Sequence, residues 1–207
     1  MSQLKRDRVP RPQPDHKGRL QKFHRWLEEN AVNGISSNAT DSSRQFITSQ
    51  SLKTYLEGPR ELQRILDQLF SEDDETPVEP DAVLNGYTRV FAILIDIGKG
   101  RFIEEFVKHD SLSDQKLPFE VAPPRFPRDA DDSEFFTKFH EHQWKFCPYI
   151  FVRNKIDAEL NKRYILPIVS MERIAEGGSS TVYKITLHPE YDTLVPDTEQ
   201  VKIDSLY

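Results

Sequence analysis

The sequence predicts a mainly α fold: a helical, bundle-like region followed by a short β-hairpin. Three observations carry this. Apolar residues recur three, four and seven apart in several segments between Arg19 and Phe146, the spacing that lines one face of a helix. After Ile165 that period gives way to β-branched and aromatic residues on either side of a run of small ones, the pattern of two strands and a turn. Of the 207 residues, 37% are hydrophobic and 13 are Phe, which is enough bulky apolar area for a core although 30% are charged.

The elements follow in order. Residues 1–18 carry Lys5, Arg6, Arg8, Arg11 and Lys17 among Pro10, Pro12 and Pro14, a basic arm with little to bury and therefore expected to be disordered. Leu20, Phe23 and Leu27 share a helix face, with Asn33-Gly34 as its stop. Ser36 to Ser43 reads as a loop. Phe46, Ile47, Leu52, Tyr55 and Leu56 predict a second helix ended by Gly58-Pro59, and Leu62, Ile65, Leu66 and Leu69 a third. The acidic run Ser71 to Glu75 is expected to be a solvated connector. Asp81 then caps one helix reaching from Val83 to Ile95, the most apolar segment and the expected buried centre. Gly98-Lys99-Gly100 breaks it, and Phe102, Ile103, Phe106 and Val107 add a short helix. These elements make residues 19–110 a helical accessory domain.

Residues 111–132 hold Pro118, Pro123, Pro124 and Pro127 and predict an extended connector. Residues 133–164 read as an aromatic-rich helix and linker, capped by Ser133 and ended at Cys147-Pro148, with Phe135, Phe136, Phe139, His142 and Trp144 as its heavy face. His140 and His142 sit two apart and do not share a helix face, so they predict no metal site. Cys147 is the single cysteine, which excludes an internal disulfide and a cysteine-based zinc cluster, and it is expected to pack as a small apolar residue.

Composition narrows the function classes. The longest apolar run, Val90 to Ile95, is far short of the roughly 20 residues of a membrane span. The net charge of -6 argues against generic nucleic-acid binding, which wants a basic surface. With no apolar leader at its polar N-terminus, the chain is expected to be intracellular, with neither a membrane nor a nucleic acid as partner.

The residues with chemistry to offer lie near the end. Ile174, Ala175, Glu176, Gly177, Gly178, Ser179, Ser180, Thr181 and Val182, followed by Tyr183-Lys184, place small residues between two strands. Backbone N–H groups of such a loop can approach a polyanion closely, where larger side chains would hold its phosphates away. This segment resembles the glycine-rich loop that opens a protein-kinase domain. Aligned on Val182, Gly177 takes the place of the family's central glycine, while Ala175 and Ser180 stand where the outer two would be. Trp144, Phe146 and Leu166-Pro167 resemble the lead-in of fungal-type serine/threonine kinase-like proteins, which carry a helical region ahead of the kinase. The resemblance implies that residues 165–207 are an incomplete kinase N-lobe, that Ile174 and Val182 sandwich adenine, and that Gly177 to Thr181 cover the phosphates of ATP.

The same resemblance limits the chemistry. Val201, Ile203, Leu206 and Tyr207 would begin the third strand, whose Ala-x-Lys ending is missing, as are the His-Arg-Asp and Asp-Phe-Gly motifs. Lys184 lies too near the loop to replace that lysine. No catalytic or metal-binding residue is therefore assigned. The expectation is a truncated N-terminal portion of a kinase whose parent moves the γ-phosphoryl group of Mg-ATP to protein Ser/Thr, with ATP binding by these 207 residues weak or absent. Mg²⁺ would belong only to the intact parent, and the expected partners are a protein or the rest of the kinase domain. The competing expectation is a non-enzymatic helical interaction protein with a vestigial kinase-like tail, or a pseudokinase parent.

Overall fold

The computed structural model describes residues 18–37, 39–71, 76–153, 160–176 and 181–194. Helix α1 (Gly18–Glu29) turns its Phe23 and Leu27 inward, as their spacing requires. The chain then departs from the all-helical expectation. Strands β1 (Val32–Ser36) and β2 (Ala39–Phe46) pair antiparallel, with Val32 opposite Phe46 and Ile35 opposite Ser43. The predicted loop at Ser36 to Ser43 is thus mostly strand, and Asn33-Gly34 lies within β1 instead of ending the helix. Phe46 closes a strand instead of opening a helix, because its ring is wanted in a second small core with Ile165 and Tyr191. The fold is mixed α and β, not mainly α.

Helix α2 (Ser49–Leu56) begins after Thr48, whose hydroxyl accepts from the Ser51 N–H (3.1 Å). Helix α3 (Glu61–Leu69) follows and buries Leu62, Ile65 and Leu66. The single helix expected across 81–95 is two: α4 (Pro80–Leu84) and α5 (Thr88–Asp96). Gly86, at φ 134, makes the break, a conformation open to glycine alone. Glu79 occupies the N-cap position of α4, and Asp81 falls in its first turn.

Helix α5 is the buried centre, with every residue from Val90 to Ile95 inside. Its own N-cap residue Tyr87 supplies no side-chain bond, and Asp114 does so from the following segment. The Asp114 carboxylate accepts from the N–H groups of Arg89 (3.0 Å) and Val90 (2.9 Å), while its backbone oxygen accepts from Arg89 Nη2 (2.6 Å). Two orphan donors of a buried helix end are satisfied in this way.

Short helix α6 (Ile103–Phe106) and helix α7 (Phe135–His142) complete the helical part, Glu134 and not Ser133 standing at the N-cap of α7. The proline-rich stretch between them is irregular, as its prolines require, yet it packs into the core. Leu112 and Phe119 are buried, and Phe126 sits 5.0–5.4 Å from the rings of Phe106, Phe135, Phe136 and Phe139. Fully buried Gln143 holds it there by accepting from the Phe119 N–H (2.7 Å) and donating to the Phe119 carbonyl (3.0 Å). Residues from Phe23 to Phe146 therefore share one apolar cluster.

Glu61 marks the outer face of that cluster. Lys22 (2.9 Å), Arg64 (3.7 Å) and Arg19 (3.9 Å) surround its carboxylate, and the Tyr55 hydroxyl donates to it at 3.3 Å. Burial acts to raise the Glu61 pKa, but the Lys22 bond and charge, the Tyr55 bond and Arg19 together outweigh it and hold the carboxyl below the usual range. A depressed carboxylate stabilises above its unfolded pKa of about 4.3, and that stability is lost as pH falls through the folded value. Thermal melts of Glu61→Gln should accordingly fall less between pH 6 and pH 3 than those of the parent chain. Equal falls would refute the coupling.

The remaining strands are β3 (Phe151–Val152), β4 (Ile165–Leu166), β5 (Ile168–Glu176), β6 (Thr181–Leu187) and β7 (Asp192–Thr193). β4 pairs antiparallel with β1, extending the first sheet in the order β2-β1-β4. β3 and β7 pair parallel, and β5 and β6 form the hairpin expected from the sequence. Among the described residues, no helix is long and apolar enough to cross a membrane.

Candidate functional site

The site expected from the sequence sits at the tip of the β5–β6 ribbon. Met171 faces Ile185, Glu172 faces Lys184 and Arg173 faces Tyr183 across it. A bulge follows, since Ala175 and not Ile174 is the next registered partner, opposite Val182. Ile174 and Ala175 together therefore oppose Val182, which brings the two branched residues to the same level of the ribbon. Glu176 pairs with Thr181 and forms an ion pair with Arg173. Gly177, Gly178, Ser179 and Ser180 lie outside the described residues, as does the expected third strand from Val201 to Tyr207.

Alternation gives the ribbon two unlike faces. Tyr183, Ile185 and Leu187 point one way, and Val182, Lys184 and Thr186 the other. Both strands are largely exposed. Ile174 is 60% accessible, Val182 50%, Ile185 43% and Tyr183 42%.

The base of the ribbon, by contrast, is anchored. Gly34 lets β1 approach β4 so closely that a Cβ there would lie 2.6 Å from the Leu166 oxygen and 2.9 Å from Ile165 Cγ2. The His188 N–H donates to the Pro167 carbonyl (2.8 Å), closing the ribbon where it leaves the sheet. The described chain after β6, residues 188–194, is tied down. Buried Tyr191 meets Phe46 edge-on at 5.7 Å, and its hydroxyl accepts from the Ser49 N–H (3.0 Å). Glu190 accepts from the Gln50 N–H (3.1 Å), so this tail segment satisfies the start of α2. Burial pushes the Tyr191 phenol up to about 12. Gly34 and Tyr191 are the two positioning residues that the sequence reading missed. By local pattern Asn33-Gly34 resembles a helix stop, and nothing local marks Tyr191.

No family model, curated protein or solved structure matches this chain. The functional reading therefore rests on its own residues.

Other sequence candidates fall apart spatially. His142 is exposed, with Nδ1 2.7 Å from an Asp96 oxygen. His140 instead takes a hydrogen bond at Nδ1 from Arg163 Nη1 (2.8 Å), and burial followed by the Arg163 charge lowers its pKa. Cys147 is buried and its thiol is pushed up to about 12 by desolvation, which makes it a packing residue. The groove between β1 and the start of β5, lined by Gly34, Ile35, Ser43 and Ile168 to Met171, encloses about 250 Å³. That is below the roughly 300–1,000 Å³ of ordinary ligand pockets.

Proposed function

We propose that the β5–β6 ribbon is the phosphate-covering element of a protein-kinase-type nucleotide site, carried on a helical accessory region. What supports this reading is the ribbon itself. It is an antiparallel pair framing Gly177 to Ser180, with Ile174 and Val182 level with each other and exposed at its tip. Backbone donors of the loop would contact ATP phosphates, and the two branched side chains would flank the adenine. Among the described residues, five of the exposed large hydrophobics (Val169, Ile174, Val182, Tyr183 and Ile185) belong to this ribbon, whereas Val121, Ile150, Val152 and Leu194 are spread elsewhere. Val182 lies on one face of the ribbon and Tyr183 and Ile185 on the other, so apolar surface is open on both.

Phosphoryl transfer is mostly positioning and charge neutralisation by Mg²⁺ and lysine. The ribbon offers backbone dipoles and a hydrophobic clamp, and Lys184 is paired in register with Glu172. Binding of Mg-ATP to these 207 residues should be weaker than about 1 mM, near -4 kcal/mol, when titrated in a calorimeter. Sub-micromolar binding that disappears in Gly177→Trp would show the ribbon to be complete as it stands. Reading the transcript past the Tyr207 codon tests the family. Ala-x-Lys, His-Arg-Asp and Asp-Phe-Gly in frame would support a kinase parent, and their absence would favour the non-enzymatic helical interaction protein.

A further inference from the structure

A second recess lies away from the ribbon, on the opposite flank of the sequence. It encloses about 690 Å³ between the start of α1, the end of α3 and the turn after α5. Leu20, Leu69 and Phe102 give it apolar surface, and Glu104, Glu105, Asp129 and Asp131 give it four carboxylates. Opposing these are Lys99 and Arg101, so the lining carries a net -2. Lys99 is committed to Asp129 and to Asp132 (3.3 Å), and Lys108, outside the recess, bridges Glu104 (2.9 Å) and Glu105 (3.0 Å). The first described residue is Gly18, and the Leu20 N–H donates to Gln68 Oε1 (3.2 Å). Leu20 and Gln68 both line the recess, so the preceding chain enters α1 at its rim.

We propose that this recess takes the chain's own basic arm, residues 1–17. The arm carries Lys5, Arg6, Arg8, Arg11 and Lys17 against Asp7 and Asp15, a net +3 opposite the net -2 of the lining. Its Leu4 and Val9 supply apolar side chains for the apolar part of the recess. Reach is no obstacle: at about 3.1 Å per residue in an extended proline-rich chain, Arg11 to Lys17 alone span roughly 20 Å. Exposed ion pairs are individually weak. The arm is nevertheless tethered at the rim, and a short tether supplies an effective concentration on the order of millimolar. A contact too weak to hold a free peptide is then populated within one chain. This inference does not depend on the kinase-type reading.

The test uses the full chain with Gln13→Cys carrying a nitroxide label, since buried Cys147 is shielded from the reagent. Two-dimensional amide spectra at about 50 mM salt should show Leu69, Gly100 and Phe102 losing more than half their intensity. Reversal is expected in about 0.5 M salt, where the screening length falls to a few ångströms. It is also expected in Glu104→Lys/Glu105→Lys/Asp131→Lys, and in Arg6→Glu/Arg8→Glu/Arg11→Glu, which leaves the folded part unaltered. A mixture of labelled ¹⁴N and unlabelled ¹⁵N chains should show no broadening. Broadening that is absent, spread over other surfaces, insensitive to both charge variants, or present between chains would overturn the proposal.

Discussion

Gly34→Val is expected to destabilise the chain by about 2–3 kcal/mol, because overpacking against a neighbour that cannot yield costs this much. The neighbour here is backbone. A Cβ at Gly34 would stand 2.6 Å from the Leu166 carbonyl oxygen and 3.1 Å from the Phe46 ring, so β1 and β4 must separate. At roughly 2–4 °C per kcal/mol for a protein of this size, the thermal midpoint should fall by about 4–12 °C. Amide exchange should speed up selectively at the Ile35–Leu166 and Ser36–Ile165 pairs and at the Tyr149 N–H, which donates to Ile165 (2.9 Å). A midpoint unchanged within 1 °C, with protection intact, would mean that the seam anchoring the ribbon is not formed as described. Through that seam the helical part holds the base of the nucleotide-covering ribbon we propose.

Phe139→Ala should have a larger effect, about 3–5 kcal/mol, from lost transfer energy plus the cavity left behind. Phe139 is fully buried and stacks on Phe106 and Phe119, both at 5.7 Å, with Phe126 edge-on at 5.4 Å. Denaturant unfolding should show a lower midpoint at unchanged slope, and Phe139→Leu should recover most of the loss. The proline-rich segment gives a second readout. Phe119 and Phe126 hold it to the core, so trypsin should cut after Arg125 and Arg128 much faster in Phe139→Ala than in the parent chain. Cleavage at equal rates would mean that the segment does not depend on this aromatic cluster.

The helices were legible because their cause is local. Phe23 and Leu27, then Leu62, Ile65 and Leu66, and the run Val90 to Ile95 each mark a buried face from local pattern alone, and the structure buries all of them. The ribbon was legible for a similar reason, since β-branched alternation on both sides of small residues specifies a hairpin without help from distant chain. Strands β1 and β2 were not. Val-Asn-Gly-Ile-Ser and Ala-Thr-Asp-Ser-Ser-Arg-Gln-Phe are polar and short, and their local preferences favour turns. They are strands because β4, some 130 positions along the chain, pairs with β1 and because Phe46, Ile165 and Tyr191 must be covered together.

The same division runs through the candidate site. Composition and pattern alone determined a helical, aromatic core, a single unreactive cysteine and a ribbon with a small-residue tip. Only the tertiary structure decided that the proline-rich segment is core, that Asp114 caps α5, and that Gly34 and Tyr191 seat the ribbon on the first sheet. Periodicity is written within one element. Close approach of backbones and the satisfaction of buried helix ends depend on partners that meet only once the chain has folded.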